Sequence, residues 1–174
     1  MRLDQAGANA DGLCAQLAQA LLQQGWKLAT AESCTGGLIA ASCTAQSGSS
    51  AWFERGMVTY SNEAKCDMLG VPPALISAHG AVSEPVVRAM VAGALAHALA
   101  QVAVAVTGVA GPLGGSPDKP VGTVWFGWSV SGRVSTAVRQ FPGDRAAVRA
   151  ATVLHALSQL LVLLHSTPRP GLSG

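Results

Sequence analysis

The stretch Val102-Ala-Val-Ala-Val-Thr-Gly108 decides the predicted fold. Its apolar residues do not alternate with polar ones, which is typical of a strand that helices cover on both faces. The alanine-rich segment before it, about 84–98, opens with Ser83-Glu84-Pro85 and is predicted to be an amphipathic helix capped by Ser83. A helix leading into a doubly covered strand indicates an α/β fold.

Predicted helices and strands also follow one another on both sides of this stretch. Toward the N-terminus the pattern predicts helices at 11–24, at 38–44 and from Glu63 to near Gly70, a short helical turn at 72–75, and strands at 26–31 and about 56–60. Toward the C-terminus it predicts a loop at 108–120, a hairpin of strands 121–130 and 133–141, and a final helix to about His165. We therefore expect a three-layer α/β/α sandwich with a mixed, mostly parallel sheet. Residues 1–174 are expected to form a single domain with its core at about 10–165 and a frayed tail at 166–174.

Composition excludes several functional classes. The 174 residues are 49% hydrophobic and only 11% charged, and 11 basic residues against 9 acidic ones are scattered along the chain, so no nucleic acid is expected to bind. No charged residue occurs between Arg88 and Asp118, a length that could span a membrane, but Gly111-Pro112 interrupts the stretch, so no membrane segment is predicted. Residues 1–24 lack the pattern of a secretory signal, and a cytoplasmic location is expected.

The cysteines and histidines give no sign of a metal site. The four cysteines form no C-x-x-C pair and the four histidines are dispersed, so free buried thiols and no metal or other cofactor are predicted.

Chemistry is expected where loops leave the carboxyl ends of the strands. The first such loop carries Ser33 followed by Thr35-Gly36-Gly37. A hydroxyl at the positive end of a helix can serve as a nucleophile, and the glycines allow a ligand to approach backbone N–H donors. Alternatively, Ser33 only caps the helix, a role worth about 1 kcal/mol. Cys34 is a competing nucleophile, although a buried inert thiol is more common.

The second loop, Tyr60-Ser-Asn-Glu-Ala-Lys65, carries the only tyrosine in the chain. Ser61-Asn62 can cap the following helix, and if Asn62 is the cap, Lys65 lies in its first turn, where the helix dipole disfavours a cation. A lysine acting as a base near neutrality needs its pKa lowered from ~10.4 to ~7–8, and desolvation would have to supply most of that shift. A solvated surface lysine is the alternative.

Two further loops offer polar groups. Thr107-Gly108 leaves the buried strand, and its hydroxyl can hold a polar group of a substrate or only stabilise a turn. Arg145 begins the last helix after Asp144, where a cation opposes the dipole unless an anion binds beside it, or unless it pairs with Glu32 or Asp144. Together these residues indicate a hydrolase or a nucleotide-binding module.

Several runs in fixed order carry a resemblance to a known family. They are Ala31–Gly37 (AESCTGG), Gly48–Phe53 (GSSAWF), Val58–Lys65 (VTYSNEAK), His79–Pro85 (HGAVSEP), Thr107–Pro112 (TGVAGP), Lys119–Trp125 (KPVGTVW) and Gly143–Arg145 (GDR). Over about residues 10–165 the chain resembles the nicotinamide-nucleotide amidase family, which includes stand-alone PncC enzymes and the C-terminal domain of the competence/damage-inducible protein CinA. It looks like the stand-alone form.

The resemblance implies deamidation of nicotinamide mononucleotide (NMN) to nicotinate mononucleotide and ammonia, a step of NAD salvage. It also implies a three-layer α/β/α fold, no metal and a homo-oligomer, most simply a dimer. The residues it carries over are Ser33, Tyr60, Lys65, Thr107 and Arg145.

A mechanism consistent with these residues has Ser33 attack the carboxamide while Lys65, directly or through Tyr60, takes the proton. N–H groups around Thr35 and Gly36 would stabilise the oxyanion, and Arg145 with either the Ser47–Ser50 loop or the glycine-rich turns would hold the 5′-phosphate. Gly37, Asn62 and Gly108 complete the predicted substrate contacts. The alternative is a non-catalytic nucleotide-binding or regulatory domain of the same fold, and a further alternative is an amidase for another nucleotide.

Overall fold

The computed structural model describes residues 9–168 and contains one five-stranded sheet between two layers of helices. The helices are α1 (Ala10–Gln24), α2 (Leu38–Thr44), α3 (Asn62–Leu69), α4 (Pro73–His79), α5 (Glu84–Ala96) and α6 (Arg145–Ser166). The strands are β1 (Leu28–Glu32), β2 (Phe53–Val58), β3 (Val102–Gly108), β4 (Thr123–Val130) and β5 (Arg133–Gln140). Residues 169–174 of the predicted frayed tail lie outside the described part of the chain.

The sheet has the order β2-β1-β3-β4-β5 and is mixed, as predicted. β1 pairs in parallel with both β2 and β3, whereas β4 runs antiparallel to both β3 and β5. Four of the five strands therefore run in one direction. The predicted hairpin is present, and its turn at Ser131-Gly132 has positive φ at both residues, as a tight two-residue hairpin requires.

Side chains of β3 face the two helical layers alternately. Val102, Val104 and Val106 are fully buried toward the layer of α1, α2 and α6, whereas Ala103 and Ala105 face α5. Residues on both faces of this strand are apolar because both faces are covered, which confirms the interpretation of the unalternating stretch. The small side chains of these alanines allow α5 to pack close to the sheet.

The strand β2 begins and ends earlier than predicted. It covers Phe53–Val58 instead of about 56–60, because its pairing partner β1 ends at Glu32, opposite Val58. Thr59 and Tyr60 therefore lie beyond the end of β2, in the loop before α3.

The helix α6 has 22 residues and is long and apolar enough, by length and composition alone, to cross a bilayer. Its apolar residues nevertheless include a buried face, with Leu157, Leu160 and Leu161 packed in the core beside α1 and the sheet. A core helix of a globular domain has this same pattern.

The order of the connections fixes where a ligand can bind. The chain leaves β1 through α2 to reach β2 on one side, and then returns through α3, α4 and α5 to β3 on the other side. The carboxyl ends of β1 and β3 thus border a topological switch point, where open α/β sheets form their ligand crevice. Ser33 and Thr107 lie at these two ends.

Candidate active site

Ser33 and Lys65 are in direct contact beyond the end of β1. Ser33 is 8% exposed and Lys65 only 1% exposed. The Lys65 Nζ donates to Ser33 Oγ at 3.0 Å and to the Thr59 carbonyl oxygen at 2.9 Å. The residue predicted as nucleophile and the residue predicted as base therefore share one buried hydrogen bond.

Burial lowers the pKa of Lys65 below its ordinary value, because desolvation penalises the ammonium form. The nearby Cys34 and Cys66 thiols act in the opposite direction and are smaller effects. Among residues 9–168 no carboxylate lies within salt-bridge distance of this amine. The environment therefore shifts the protonation equilibrium of Lys65 toward the uncharged amine that a base requires.

The cap of α3 is Ser61 and not Asn62. The Ser61 hydroxyl accepts a hydrogen bond from the Ala64 N–H at 3.0 Å, so Lys65 lies one position further into the helix than an Asn62 cap predicts. Asn62 is exposed and lines a different cavity, of about 560 Å³, between α3 and α4. Its predicted contact with substrate at the Ser33–Lys65 pair is therefore not supported by its position.

Glu32 holds the turn that carries Ser33. Its buried carboxylate accepts from the Ile39 and Ala40 N–H groups at 2.8 and 3.0 Å and so caps α2. It also accepts from the Thr35 hydroxyl at 2.7 Å. Ser33 is thus free of the capping role considered above, whereas the Thr35 hydroxyl is engaged within the protein and is not available to a substrate. Sequence analysis predicted Glu32 only as a possible partner of Arg145. It did not predict this cap, because Glu32 lies well before the first residue of α2 in the chain.

The glycines of this turn have separate roles. Gly37 occupies the N-cap position with φ +101°, a conformation that other residues rarely adopt. The Gly36 N–H donates to the Ser33 carbonyl oxygen at 3.0 Å, so in this turn it already has an acceptor and its predicted contact with an oxyanion is not supported. In the described part of the chain, no acceptor takes the N–H of Thr35 or Gly37.

Tyr60 and Arg145 meet at the rim of the site. The Arg145 guanidinium donates to the Tyr60 hydroxyl at 2.9 Å and to the Gly111 carbonyl oxygen at 3.0 Å. Because β1 lies between β2 and β3, a group that joins the segments after β2 and β3 extends across the end of β1. Tyr60 is 59% exposed, and its hydroxyl is bonded to Arg145 and not to Lys65. A proton relay through Tyr60 is therefore not supported, and the direct Ser33–Lys65 contact makes it unnecessary.

Thr107 and Gly108 have packing roles. The buried Thr107 hydroxyl donates to the Ala81 carbonyl oxygen at 2.9 Å and fixes the segment before α5. A Cβ on Gly108 would lie 2.7 Å from a methyl group of Val124, so the glycine allows β3 and β4 to approach. These contacts account for both residues without a substrate.

The sequence missed Arg149, one helical turn after Arg145. Its Nη2 donates to the Thr35 carbonyl oxygen at 3.0 Å, on the turn that carries Ser33. Both arginines line a cavity of about 620 Å³ together with Pro112, Val121 and Gly143. The only sequence signal is the spacing of four residues, which places two side chains on one face of a helix.

Two earlier alternatives are disfavoured by position and charge. Burial raises the pKa of the Cys34 thiol to about 11, so Cys34 is protonated near neutrality and a poor nucleophile. The Ser47–Ser50 loop leads into the amino end of β2, next to Leu28 at the start of β1. This loop lies at the amino ends of the strands, whereas Ser33 lies at the carboxyl end of β1. The loop therefore cannot hold a phosphate near Ser33.

Comparison with known proteins finds relatives in one family. The family model described as the CinA C-terminal domain matches residues 10–164. "Nicotinamide-nucleotide amidohydrolase PncC" of Pseudomonas putida is 56% identical over 151 residues, covering 87% of this chain and 94% of that protein. The protein of the same name from Enterobacter agglomerans is 54% identical over 150 residues, covering 86% and 92%.

Solved structures show the same fold. The competence damage-inducible protein A (ComA) of Klebsiella pneumoniae superposes with a TM-score of 0.90 at 44% identity, covering 92% of this chain and 100% of that one. The competence/damage inducible protein CihA of Agrobacterium tumefaciens gives 0.87 at 42% identity, covering 95% and 100%. Since the family model spans nearly the whole described chain, and since relatives this similar match along almost their full length, the chain belongs to the CinA C-terminal domain family.

Proposed function

We propose that this protein is a nicotinamide-nucleotide amidohydrolase that converts NMN and water to nicotinate mononucleotide and ammonia. The identity of 54–56% to proteins named for this activity supports a hydrolase acting on an amide bond. The observation that carries the proposal is the 3.0 Å contact between Ser33 Oγ and the buried Nζ of Lys65.

In the proposed mechanism, neutral Lys65 accepts the Ser33 proton as Oγ attacks the carboxamide carbon. The C–N bond then breaks, Lys65 returns the proton to the departing ammonia, and an ester on Ser33 remains. Water activated by the same amine hydrolyses that ester and regenerates the serine. The Thr35 and Gly37 N–H groups, which have no acceptor in the described chain, are the candidate oxyanion donors. Arg145 is proposed to bind the 5′-phosphate.

The test is Ser33→Ala with release of ammonia from NMN as the readout. We expect kcat to fall by several orders of magnitude while NMN still binds, because the lost hydroxyl acts only in the bond-forming steps. Ser42→Ala is the control, because Ser42 is a half-buried serine on α2 whose hydroxyl bonds only to the Leu38 carbonyl. Near-normal turnover in Ser33→Ala would shift the attack to water or to Cys34.

A non-catalytic nucleotide-binding domain remains the second candidate. It would keep the arginines but would have no use for a buried lysine in contact with a serine, which costs stability through desolvation. Ammonia release measured with NMN, nicotinamide riboside, nicotinamide and NAD separates the two functions and tests the substrate range.

The resemblance also leads us to expect a cytoplasmic homodimer working in NAD salvage. Sedimentation of the purified protein tests the oligomeric state.

A further inference from the structure

Arg149 has contacts that the fold alone does not account for. Its Nη2 bonds to the Thr35 carbonyl oxygen, but its Nε is buried without any hydrogen-bond partner. A buried donor left unpaired costs about 1–3 kcal/mol, and within residues 9–168 no acceptor offsets this cost.

The neighbourhood of Arg149 is cationic. Arg145 lies one turn away on the same face of α6, and like charges at this spacing destabilise a helix. Within residues 9–168 neither guanidinium has a carboxylate within 4 Å. Asp144 lines the same cavity, but its carboxylate accepts from the Ala147 N–H and caps α6.

The turn that carries Ser33 lies directly beside this guanidinium. A Cβ on Gly36 would be 3.6 Å from the Arg149 Nη2, an ordinary van der Waals distance. The cavity of about 620 Å³ that both arginines line is large enough for a phosphate with part of a ribose. Arg149 therefore lies between this cavity and the backbone of the nucleophile turn.

We propose that Arg149, with Arg145, binds the phosphate monoester of the substrate, and that it connects this phosphate to the Ser33 turn through the Thr35 carbonyl. The inference rests on the proposed amidase function and adds a residue that selects phosphorylated over unphosphorylated substrates. Two guanidinium groups one turn apart supply the forked donors that phosphate oxygens prefer.

The experiment compares NMN with nicotinamide riboside, which lacks the phosphate, in wild type and Arg149→Met. Hydrogen bonds to a charged group predict a roughly 10- to 100-fold loss of kcat/KM for NMN, mainly through KM, with the riboside changed by less than about 3-fold. Inhibition by inorganic phosphate should weaken by a similar factor. Arg149→Lys, which keeps the charge but not the fork, should lie between the two.

Arg133→Met is the matched control, because Arg133 is exposed at the start of β5. The ratio of kcat/KM for the two substrates within one variant does not depend on how much of the protein is folded. An equal loss for NMN and the riboside in Arg149→Met would overturn the proposal, because it would leave Arg149 only a structural role at Thr35.

Failure of the amidase function is distinguishable from failure of this inference. If wild type releases no ammonia from NMN, calorimetric titration with inorganic phosphate and with NMN still tests the site. Binding that Arg149→Met weakens at least 10-fold would support the anion site without the amidase. Binding that is absent in wild type, or unchanged in the variant, would contradict it.

Discussion

A single buried amine decides how the proposed site responds to pH. Lys65 must be uncharged to accept a proton from Ser33, and its burial lowers its pKa. The unprotonated fraction falls as the pH drops through that lowered pKa. We therefore expect kcat/KM for NMN to fall toward acid pH, with a midpoint below the ordinary lysine value of 10.5.

Lys65→Arg and Lys65→Met test this assignment. Arginine stays protonated at every accessible pH and methionine has no basic nitrogen, so both variants should lose at least about 100-fold in kcat. Lys27→Met is the control, since Lys27 is exposed before β1. An unchanged acid limb in Lys65→Met would assign the titration to another group.

The second prediction at this scale concerns Cys34, which lies next to the proposed nucleophile. Its pKa of about 11 leaves the thiol protonated at neutral pH, because burial disfavours the thiolate. Cys34→Ala should therefore keep kcat within a few-fold of wild type in the ammonia assay. A loss as large as that of Ser33→Ala would make the thiol the nucleophile instead.

Sequence reasoning singled out Ser33, Lys65 and Arg145 because each is predicted near the start of a helix, where a hydroxyl can be activated and a cation opposes the helix dipole. It missed Arg149, and it did not foresee that the Thr35 hydroxyl bonds to Glu32, because these contacts form only when the chain folds. The bond from Arg149 to Thr35 joins residues 114 positions apart. No local pattern in the chain encodes such a pair.

At the scale of elements, the helix α2 depends on a side chain from the preceding strand. Glu32 caps α2 from the end of β1 and holds Thr35 at the same time. Glu32→Gln replaces one acceptor oxygen with an NH₂ group, which cannot accept from the Ile39 or Ala40 N–H. We expect the free energy of unfolding to fall by about 1–2 kcal/mol and kcat to fall several-fold as the Ser33 turn loosens.

Asn9→Ala is the control for this cap. Asn9 caps α1 by accepting from the Gly12 N–H at 2.8 Å, far along the chain from the Ser33 turn. It should cost about 1 kcal/mol in urea denaturation and leave kcat unchanged. If Glu32→Gln reduced stability without changing kcat, the carboxylate would serve only the helix.

The order of the elements was predictable, whereas some of their ends were not. Hydrophobic periodicity and turn residues predicted the five strands and five of the helices, whereas α4 (Pro73–His79) was predicted only as a short turn at 72–75. Gly25 and Gly70 terminate α1 and α3 in the left-handed conformation expected of C-caps. The limits of β2 were displaced because a strand ends where its partner does. That information belongs to the pairing with β1 and is not present in the sequence of β2 itself.

At the scale of the whole molecule, the layer of α6 is joined to the sheet through an aromatic cluster around His155. The ring centroids of Phe126, Trp128 and Phe141 lie 4.7, 5.9 and 6.2 Å from that of His155. Its Nε2 is buried without a hydrogen-bond partner. Burial, assisted by the charge of Arg139, lowers the pKa of His155 from 6.5 to about 4.

This histidine should make the fold sensitive to acid. Between pH 6.5 and about 4 the unfolded chain binds a proton on His155 that the folded chain does not, so the free energy of unfolding decreases as the pH falls through this window. His155→Phe removes the titrating group but keeps a ring in the cluster. Urea denaturation at pH 7 and pH 5 should therefore show a smaller loss of stability in the variant than in wild type. His165→Gln is the control, at an exposed position near the end of the same helix, and it should lose as much stability between pH 7 and pH 5 as wild type. An identical loss of stability in all three proteins would show that His155 does not link acid to unfolding.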